Sequence, residues 1–305
     1  MIKILSCPQM HAIGKKLCAE NKLFQLEEIQ WRNFKDGFPD LKIMGASELS
    51  NSHVIFLSSL ENPSEIFRQL AVVYELPRLA VKSLKVVLPY FPTGTMERVD
   101  EEGEIATAST LARMLSMIPG TMSGPVQILI YDIHALQERF YFSDEVIPRL
   151  ETAIPLLLER IRGMKNVAVA FPDEGAWKRF GRMFKGYPLI TAHKVRDRDG
   201  RKVIIKEGNP SGKHVIIVDD LVMTGGTLLK CKQALMDSGA KEVSAYVTHG
   251  VFPDDSWQRF VDQDFSRFWM TDSCPDSAGR VQGVEPFEIL SLKDDISVKI
   301  LSDVC

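Results

Sequence analysis

The chain has 305 residues, of which 45% are hydrophobic and 25% are charged, and its formal net charge is −3. This length predicts two globular domains of about 150 residues each, and the composition excludes a disordered or fibrous protein. The slightly negative charge argues against nucleic acid or an anionic membrane surface as a partner.

Cysteine usage and the N-terminus indicate the cellular compartment. The five cysteines are odd in number and scattered, and no CxxC pair occurs, which argues against a disulfide framework or a structural zinc site. The first apolar run ends at Pro8, too short for a signal peptide, and no uncharged stretch approaches membrane-spanning length. We therefore expect a cytoplasmic protein.

Short apolar runs rich in β-branched residues alternate with helical patterns along the chain. The predicted strands are VIFLSS (54–59), KVVLPY (85–90), VQILIYDI (126–133), NVAVAF (166–171), HVIIVDD (214–220) and VSAYVTH (243–249). Alternating strands and helices are typical of parallel sheets covered by helices on both faces. The sequence therefore predicts an α/β fold.

The middle of the chain contains the predicted division between two α/β domains. Apolar residues between Asp144 and Arg162 recur at a spacing that fits one buried face of a helix, and Gly163 is a suitable helix stop. No Pro/Ser/Gly linker marks the division. We place the domains at 1–145 and 146–305.

Two polar segments interrupt the alternation. Residues 91–104 (FPTGTMERVDEEGE) have the composition of a mobile loop before a helix that begins near Ile105. In residues 196–209 (RDRDGRKVIIKEGN), the pair Asp199-Gly200 predicts a hairpin turn.

The strongest functional signal is HVIIVDDLVMTGGTLLKCKQALMDSGA, residues 214–240. A strand leads into two acids, a short loop, two glycines flanked by threonines, and a helix that ends at Gly239. Adjacent glycines allow positive φ and bring backbone N–H groups close to an anion, at the positive end of the helix dipole. The two carboxylates lie where a parallel sheet presents groups to a ligand such as a sugar diol. The loop residues are Asp219, Asp220, Thr224, Gly225, Gly226 and Thr227.

A plain polar turn before a helix is the alternative interpretation of this loop, because short motifs produce false positives. The complete combination of buried strand, paired acids, TGGT and helix is much rarer than a pair of glycines. The chain contains neither GxxxxGK[ST] nor GxGxxG. The ligand indicated is therefore a sugar phosphate.

Three further strand ends carry polar clusters: DIHA with His134, FPDEG with Asp173, and HKVR with Lys194 and Arg196. Transfer between two phosphorylated substrates requires a metal and cations over the transferring group, and these side chains suit that task. Taken singly, they also fit a structural histidine, a helix N-cap and a solvated strand edge. Their occurrence together with the phosphate loop favours function.

The order DIHA, FPDEGAWKR, HKVR and VDDLVMTGGT resembles that of the ribose-phosphate diphosphokinases, whose usual forms are DLHA, PD-x-G, K-x-R and DD-x3-TGGT. The resemblance extends through nearly the whole chain and is closest to the plant-type class II subgroup. It implies two type I phosphoribosyltransferase-like domains. It also implies that His134 and Asp173 belong to a Mg²⁺ site, that Lys194 and Arg196 stabilise the transition state, and that residues 219–227, together with Asp173, bind ribose 5-phosphate.

The nucleotide contacts implied by the resemblance are Phe34, Asp36, Glu97, Arg98 and His134. Phe34-Lys35-Asp36-Gly37 resembles an F-x-D-G hairpin that binds adenine and reaches a neighbouring subunit, which implies a homo-oligomer. A simple turn with a core phenylalanine is the alternative. This chain has Thr95-Met96-Glu97 where common family members have Arg-Gln-Asp, which leaves Arg98 as the nearest cation, and Met223 replaces the acid before TGGT.

The resemblance, together with these features, implies a Mg²⁺-dependent transfer of the β,γ-diphosphate of ATP, or of another nucleoside triphosphate, to the C1 hydroxyl of ribose 5-phosphate. Two alternatives remain open. A type I phosphoribosyltransferase would share the TGGT loop but would not need the first 145 residues. A non-catalytic regulatory homologue would bind nucleotides but would have no reason to keep His134, Asp173, Lys194 and Arg196 together.

Overall fold

The computed structural model describes residues 1–197 and 200–302, and it describes the side chains of these residues except those of 194–202. The chain divides into two compact units. The first comprises residues 1–151 together with the chain from Leu292 onward, and the second comprises residues 152–291.

The first unit contains a parallel sheet and a separate antiparallel hairpin. Its strands are β1 (Ile2–Ser6), β2 (Phe24–Leu26), β3 (Ile29–Asn33), β4 (Pro39–Ile43), β5 (His53–Leu57), β6 (Ser83–Val87), β7 (Val126–Tyr131) and β8 (Val146–Glu151). The sheet has the order β2-β1-β5-β6-β7-β8, and β3 pairs with β4 alone. The helices between the strands are α1 (His11–Glu20), α2 (Pro63–Glu75) and α3 (Thr107–Ser116).

The second unit is built on a longer sheet. Its helices are α4 (Ile154–Ile161), α5 (Glu174–Phe180), α6 (Gly226–Asp237) and α7 (Pro275–Val281). Its strands are β9 (Val167–Phe171), β10 (Leu189–Asp197), β11 (Gly200–Glu207), β12 (His214–Val222), β13 (Glu242–Gly250), β14 (Phe268–Thr271) and β15 (Phe287–Leu290). The order is β11-β10-β9-β12-β13-β14-β15, and all neighbours are parallel except β10 and β11.

Alternate residues of the second sheet enter two separate cores, as the period of two in a strand requires. Val215 and Ile217 of β12 pack with α6 and α7, whereas Ile216 and Val218 pack with α4 and α5. Both faces of the sheet are therefore covered by helices, and its central strands are apolar on both sides.

A last helix, α8 (Lys293–Leu301), belongs to the first unit although it follows the second in the sequence. Its contacts there include Tyr131 with Asp295 and Lys85 with the carbonyl of Lys299. Short 3-10 segments complete the fold: Ala46–Leu49, Leu76–Leu79, Gly94–Met96, Leu136–Tyr141, Gly181–Met183 and Pro253–Phe260.

The six predicted strands all lie in the two sheets, and the helix near Ile105 is α3. The single helix predicted from Asp144 to Arg162 is wrong, because residues 146–151 form β8 and only 154–161 are helical. Its apolar spacing also fits a strand, and Pro148 is tolerated because β8 is an edge strand. The compact units accordingly differ from the predicted limits of 1–145 and 146–305.

The second polar segment contains β11, which is antiparallel to β10 with Asp197 opposite Gly200. The predicted turn residue Asp199 lies outside the described residues. Among the helices that the structure describes, none is both long and apolar enough to cross a membrane.

Candidate active site

The predicted phosphate loop connects β12 to α6 at the carboxyl edge of the second sheet. The first intrahelical bond of α6 runs from the N–H of Leu229 to the carbonyl of Gly225, so the preceding N–H groups of the helix have no intrahelical acceptor. These groups and the helix dipole attract an anion. The strand-loop-helix arrangement predicted from the sequence is confirmed.

Only one of the two adjacent glycines has positive φ. Gly225 caps the helix at φ +80°, whereas Gly226 is the first residue of α6 in an ordinary helical conformation. A Cβ atom on Gly225 would overlap the Phe260 ring, but a Cβ on Gly226 would meet nothing within 4 Å. The positive φ that adjacent glycines allow is therefore used by Gly225 alone, and the lack of a side chain at Gly226 leaves open space.

Three carboxylates of the second unit lie near one another. Asp219 accepts a hydrogen bond of 3.0 Å from the N–H of Asp220, and Asp173 follows β9, the neighbour of β12. Burial raises the pKa of Asp219 well above its ordinary value, and the negative charges of Asp220 and Asp173 raise this pKa further. Such a group favours a cationic or hydrogen-bonding ligand.

Asp173 also caps a helix, as the structural alternative predicted. Its carboxylate accepts a hydrogen bond of 3.1 Å from the N–H of Ala176 at the start of α5. A carboxylate in this position is held in a fixed orientation by the cap.

Lys194 and Arg196 lie on β10, next to β9, where Lys194 pairs with Val203 and Arg196 with Arg201 of β11. Their side chains lie outside the described residues. Their role in stabilising the transition state therefore stays a prediction.

In the first unit, His134 follows β7 in a loop, and its side chain is exposed. The loop begins at Asp132, which has φ +37° and whose N–H donates to the carbonyl of Glu151 over 2.9 Å. A Cβ on Gly94 would lie 3.4 Å from the Cβ of His134, so the backbone at Gly94 passes close to the His134 side chain. The start of the segment that contains Glu97 and Arg98 thus lies beside His134.

Glu97 and Arg98 follow the short helix Gly94–Met96 within the predicted loop. The hydroxyl of Tyr141 donates to the carbonyl of Glu97 and fixes this part of the backbone. The guanidinium of Arg98 is exposed and lies 3.3 Å from the carboxylate of Asp100. Because this ion pair is exposed, it is weak and leaves Arg98 available for a phosphate.

Phe34 and Asp36 lie at the tip of the β3–β4 hairpin, apart from the six-stranded sheet that carries His134. Asp36 accepts from the N–H of Phe38 over 3.1 Å, and Gly37 has φ +90°. Phe34 is 57% exposed and Phe38 is 64% exposed. The predicted turn is confirmed, and the alternative of a core phenylalanine is wrong within this chain.

The donor set for a divalent cation is sparse. Within residues 1–197 and 200–302, no cluster of three or more His, Cys, Asp or Glu side chains has the geometry of a metal site. Mg²⁺ usually keeps several waters and takes one or two carboxylates plus substrate phosphates, rather than a complete protein cage. The described residues therefore supply at most part of a Mg²⁺ coordination shell, and the Mg²⁺ expected from the sequence stays a prediction.

Sequence reasoning missed three residues that contact the phosphate loop from the segment after β13: Ser256, Arg259 and Phe260. Nothing in the pattern SWQRF distinguishes them from an ordinary surface turn, since their partners are more than 30 residues away.

Comparison with family models assigns both parts of the chain. Residues 2–118 match the N-terminal domain of ribose phosphate pyrophosphokinase, and residues 148–285 match the phosphoribosyl transferase domain. Among solved structures, a phosphoribosylpyrophosphate synthetase from Mycobacterium smegmatis superposes with a TM-score of 0.84 at 22% identity, covering 99% of this chain and 98% of that one. The predicted fold of two phosphoribosyltransferase-like domains is confirmed.

Curated relatives match over nearly the full length. Ribose-phosphate pyrophosphokinase 4 of Oryza sativa subsp. japonica is 50% identical over 97% of this chain and 94% of its own. The protein of the same name from Arabidopsis thaliana is 49% identical over 97% and 90%. Ribose-phosphate pyrophosphokinase 3, mitochondrial, of Spinacia oleracea is 48% identical over 96% and 75%.

Proposed function

The chain belongs to the ribose-phosphate pyrophosphokinase family, and we propose that it transfers the β,γ-diphosphate of ATP to the C1 hydroxyl of ribose 5-phosphate. The products are 5-phosphoribosyl 1-diphosphate and AMP. The single observation that carries this proposal is the identity of about one half to named pyrophosphokinases over nearly the whole chain, including both units.

We assign the sugar phosphate to the loop between β12 and α6. The backbone N–H groups at the start of α6 would bind the 5-phosphate, and the hydroxyls of Thr224 and Thr227 would donate to its oxygens. Asp219 and Asp220 would accept from the ribose diol, which lowers the cost of keeping these carboxylates close together. The open space at Gly226 supports this assignment.

Mg²⁺ is the proposed cofactor, and we assign His134 and Asp173 as its ligands in company with the substrate phosphates. When bound, it would neutralise the negative charge of the triphosphate. Lys194 and Arg196 would stabilise the charge that develops on the transferring group, as cations do most effectively in the transition state. Most of the rate enhancement would come from positioning and charge neutralisation.

Phe34, Asp36, Glu97 and Arg98 would contact the nucleotide, along with His134. An exposed aromatic ring at a hairpin tip offers a stacking surface for a base, and the nearby carboxylate of Asp36 offers an acceptor for an amino group. The close approach of Gly94 to His134 supports a common triphosphate site in the first unit.

The two alternatives fit less well. A phosphoribosyltransferase would need only the second unit, whereas the match to the pyrophosphokinase N-terminal domain covers residues 2–118. A regulatory homologue would not need all of the proposed transition-state and metal residues. The cytoplasmic location stays a prediction, since relatives include proteins named mitochondrial and chloroplastic. A homo-oligomer also stays a prediction.

The test is direct. Pure protein is incubated with ribose 5-phosphate and MgATP, and AMP and 5-phosphoribosyl 1-diphosphate are quantified together. Equal amounts of the two products support the proposal. ADP without AMP would indicate ordinary kinase activity, and no product with any nucleoside triphosphate would favour a regulatory homologue.

A further inference from the structure

Residues 252–260, here called the support segment, contact the phosphate loop at residues 223–225. The hydroxyl of Ser256 donates to the carbonyl of Met223 over 2.8 Å. The Nη1 of Arg259 donates to the carbonyl of Thr224 over 2.6 Å. Two side chains of one short segment thus donate hydrogen bonds to two consecutive carbonyls of the loop.

These two bonds determine where the next N–H groups of the loop point. In a planar trans peptide the C=O and the N–H point in opposite directions. A carbonyl of Met223 fixed by Ser256 therefore directs the N–H of Thr224 to the opposite side, and the carbonyl of Thr224 fixed by Arg259 does the same for the N–H of Gly225. These N–H groups belong to the loop that we assign to the sugar phosphate.

Phe260 packs against the loop at Gly225. Its ring occupies the space where a Cβ of residue 225 would lie, and it is itself fully buried. The centroid of this ring lies 4.9 Å from that of Phe268 and 5.8 Å from that of Phe252, with edge-to-face geometry in both pairs. A close-packed aromatic cluster of this kind has little freedom to move.

The support segment has an unusual backbone of its own. Phe252, Asp254 and Asp255 all have positive φ, which is uncommon outside glycine and persists only where surrounding contacts enforce it. The carboxylate of Asp255 supplies such contacts, because it accepts from Arg280 over 2.9 Å and from the indole of Trp257 over 3.1 Å. Residues held in this region cluster at active sites and ligand clamps, although aspartate also adopts it in ordinary turns.

We propose that Ser256 and Arg259 are positioning residues for ribose 5-phosphate, which orient the N–H groups of Thr224 and Gly225 toward the sugar phosphate without touching it. This inference rests on the proposed function. It goes beyond that function because it assigns part of the binding energy to a segment that lies outside the phosphate loop.

The experiment compares Ser256→Ala, Arg259→Met, Arg259→Lys and the double variant Ser256→Ala/Arg259→Met in the full-length protein. Matched controls are Arg267→Met and Ser238→Ala, because each wild-type side chain is exposed and donates one hydrogen bond to a carbonyl outside the loop. Steady-state assays give KM for ribose 5-phosphate and for MgATP separately, and thermal melting gives stability.

We expect Ser256→Ala and Arg259→Met each to raise KM for ribose 5-phosphate by about tenfold, with KM for MgATP and the melting temperature near those of wild type. Arg259→Lys should restore most of the affinity, because an ammonium also donates to one carbonyl. The double variant should lose less than the product of the single effects, because both bonds order the same loop. The controls should match wild type.

Several outcomes would overturn the inference. An unchanged KM for ribose 5-phosphate in both single variants would show that the loop keeps its shape alone. A rise in Arg259→Met but not in Ser256→Ala would indicate a direct charge contact with the phosphate instead. Equal rises in both KM values with a lower melting temperature would indicate general unfolding. Wild-type protein is assayed in parallel. If it forms AMP and 5-phosphoribosyl 1-diphosphate, the proposed function holds, and any of these outcomes then counts against the positioning role alone.

Discussion

The hydroxyl of Tyr131 donates a hydrogen bond of 2.7 Å to the carboxylate of Asp295, which joins the end of β7 to α8. Tyr131 is fully buried, and burial together with this carboxylate raises its pKa, so it stays a neutral donor. Lys299 adds an ion pair with Glu151, at the end of β8. The last helix thus fixes the two strand ends that flank the His134 loop.

Asp295→Ala is expected to lower the free energy of unfolding by about 1–3 kcal/mol, since a buried hydroxyl loses this acceptor. Asp295→Asn should lose less, because its amide oxygen still accepts. Urea denaturation of the two variants checks this. If both variants unfold at the wild-type urea concentration, the contact contributes nothing to stability.

Substitution of the two adjacent glycines should affect different properties, namely stability at Gly225 and ligand binding at Gly226. Gly225→Ala should lower the free energy of unfolding by about 2 kcal/mol or more, because alanine disfavours φ +80° and its methyl overlaps Phe260. Gly226→Ala should change stability by about 0.5 kcal/mol or less, yet reduce the rise in melting temperature that ribose 5-phosphate produces. An undiminished rise would place the sugar phosphate elsewhere.

Lys194→Ala and Arg196→Ala should lower kcat by about 100-fold or more, while ribose 5-phosphate still raises the melting temperature. The physical reason is that these cations are assigned to charge that develops only in the transition state. Lys206→Ala is the control, since Lys206 is an exposed lysine of β11 that pairs with Glu174. Equal losses of binding and rate would contradict the assignment.

Two histidines predict how stability depends on pH. His53 lies 2.7 Å from the hydroxyl of Ser83, and His214 lies 2.8 Å from that of Ser244. Burial lowers the pKa of both below the ordinary 6.5. The unfolded chain therefore binds more protons below pH 6.5, so stability is complete above that pH and falls as the pH decreases.

The variant His53→Gln/His214→Gln should flatten this dependence, because glutamine does not titrate. Melting temperatures between about pH 7.5 and 5.5 measure the slope of stability against pH. A slope as steep in the variant as in wild type would assign the acid sensitivity to other groups.

Phe34→Ala should raise KM for MgATP by about tenfold and leave the melting temperature unchanged, because the ring is exposed and supports no core. Phe67→Ala is the matched control, since Phe67 on α2 has the same 57% exposure. An equal effect of both substitutions would remove the hairpin from the proposed nucleotide site.

The sequence alone was sufficient for the parts of the molecule that depend on local pattern. The central strands, the β12–α6 loop and the F-x-D-G turn were all predicted, because buried strands are continuously apolar and turns need particular residues. The phosphate loop and the polar strand ends are visible in the sequence, whereas the nucleotide contacts and the roles of the site residues were implied only by the resemblance to the family.

Tertiary structure alone decided the features that depend on distant partners. The apolar residues of 146–151 suit a helix or a strand, and pairing with β7 makes them β8. The return of α8 to the first unit and the support of Thr224 by Arg259 join residues far apart in the chain. Local spacing carries no information about such contacts, because their free energy exists only once both partners are brought together by the fold.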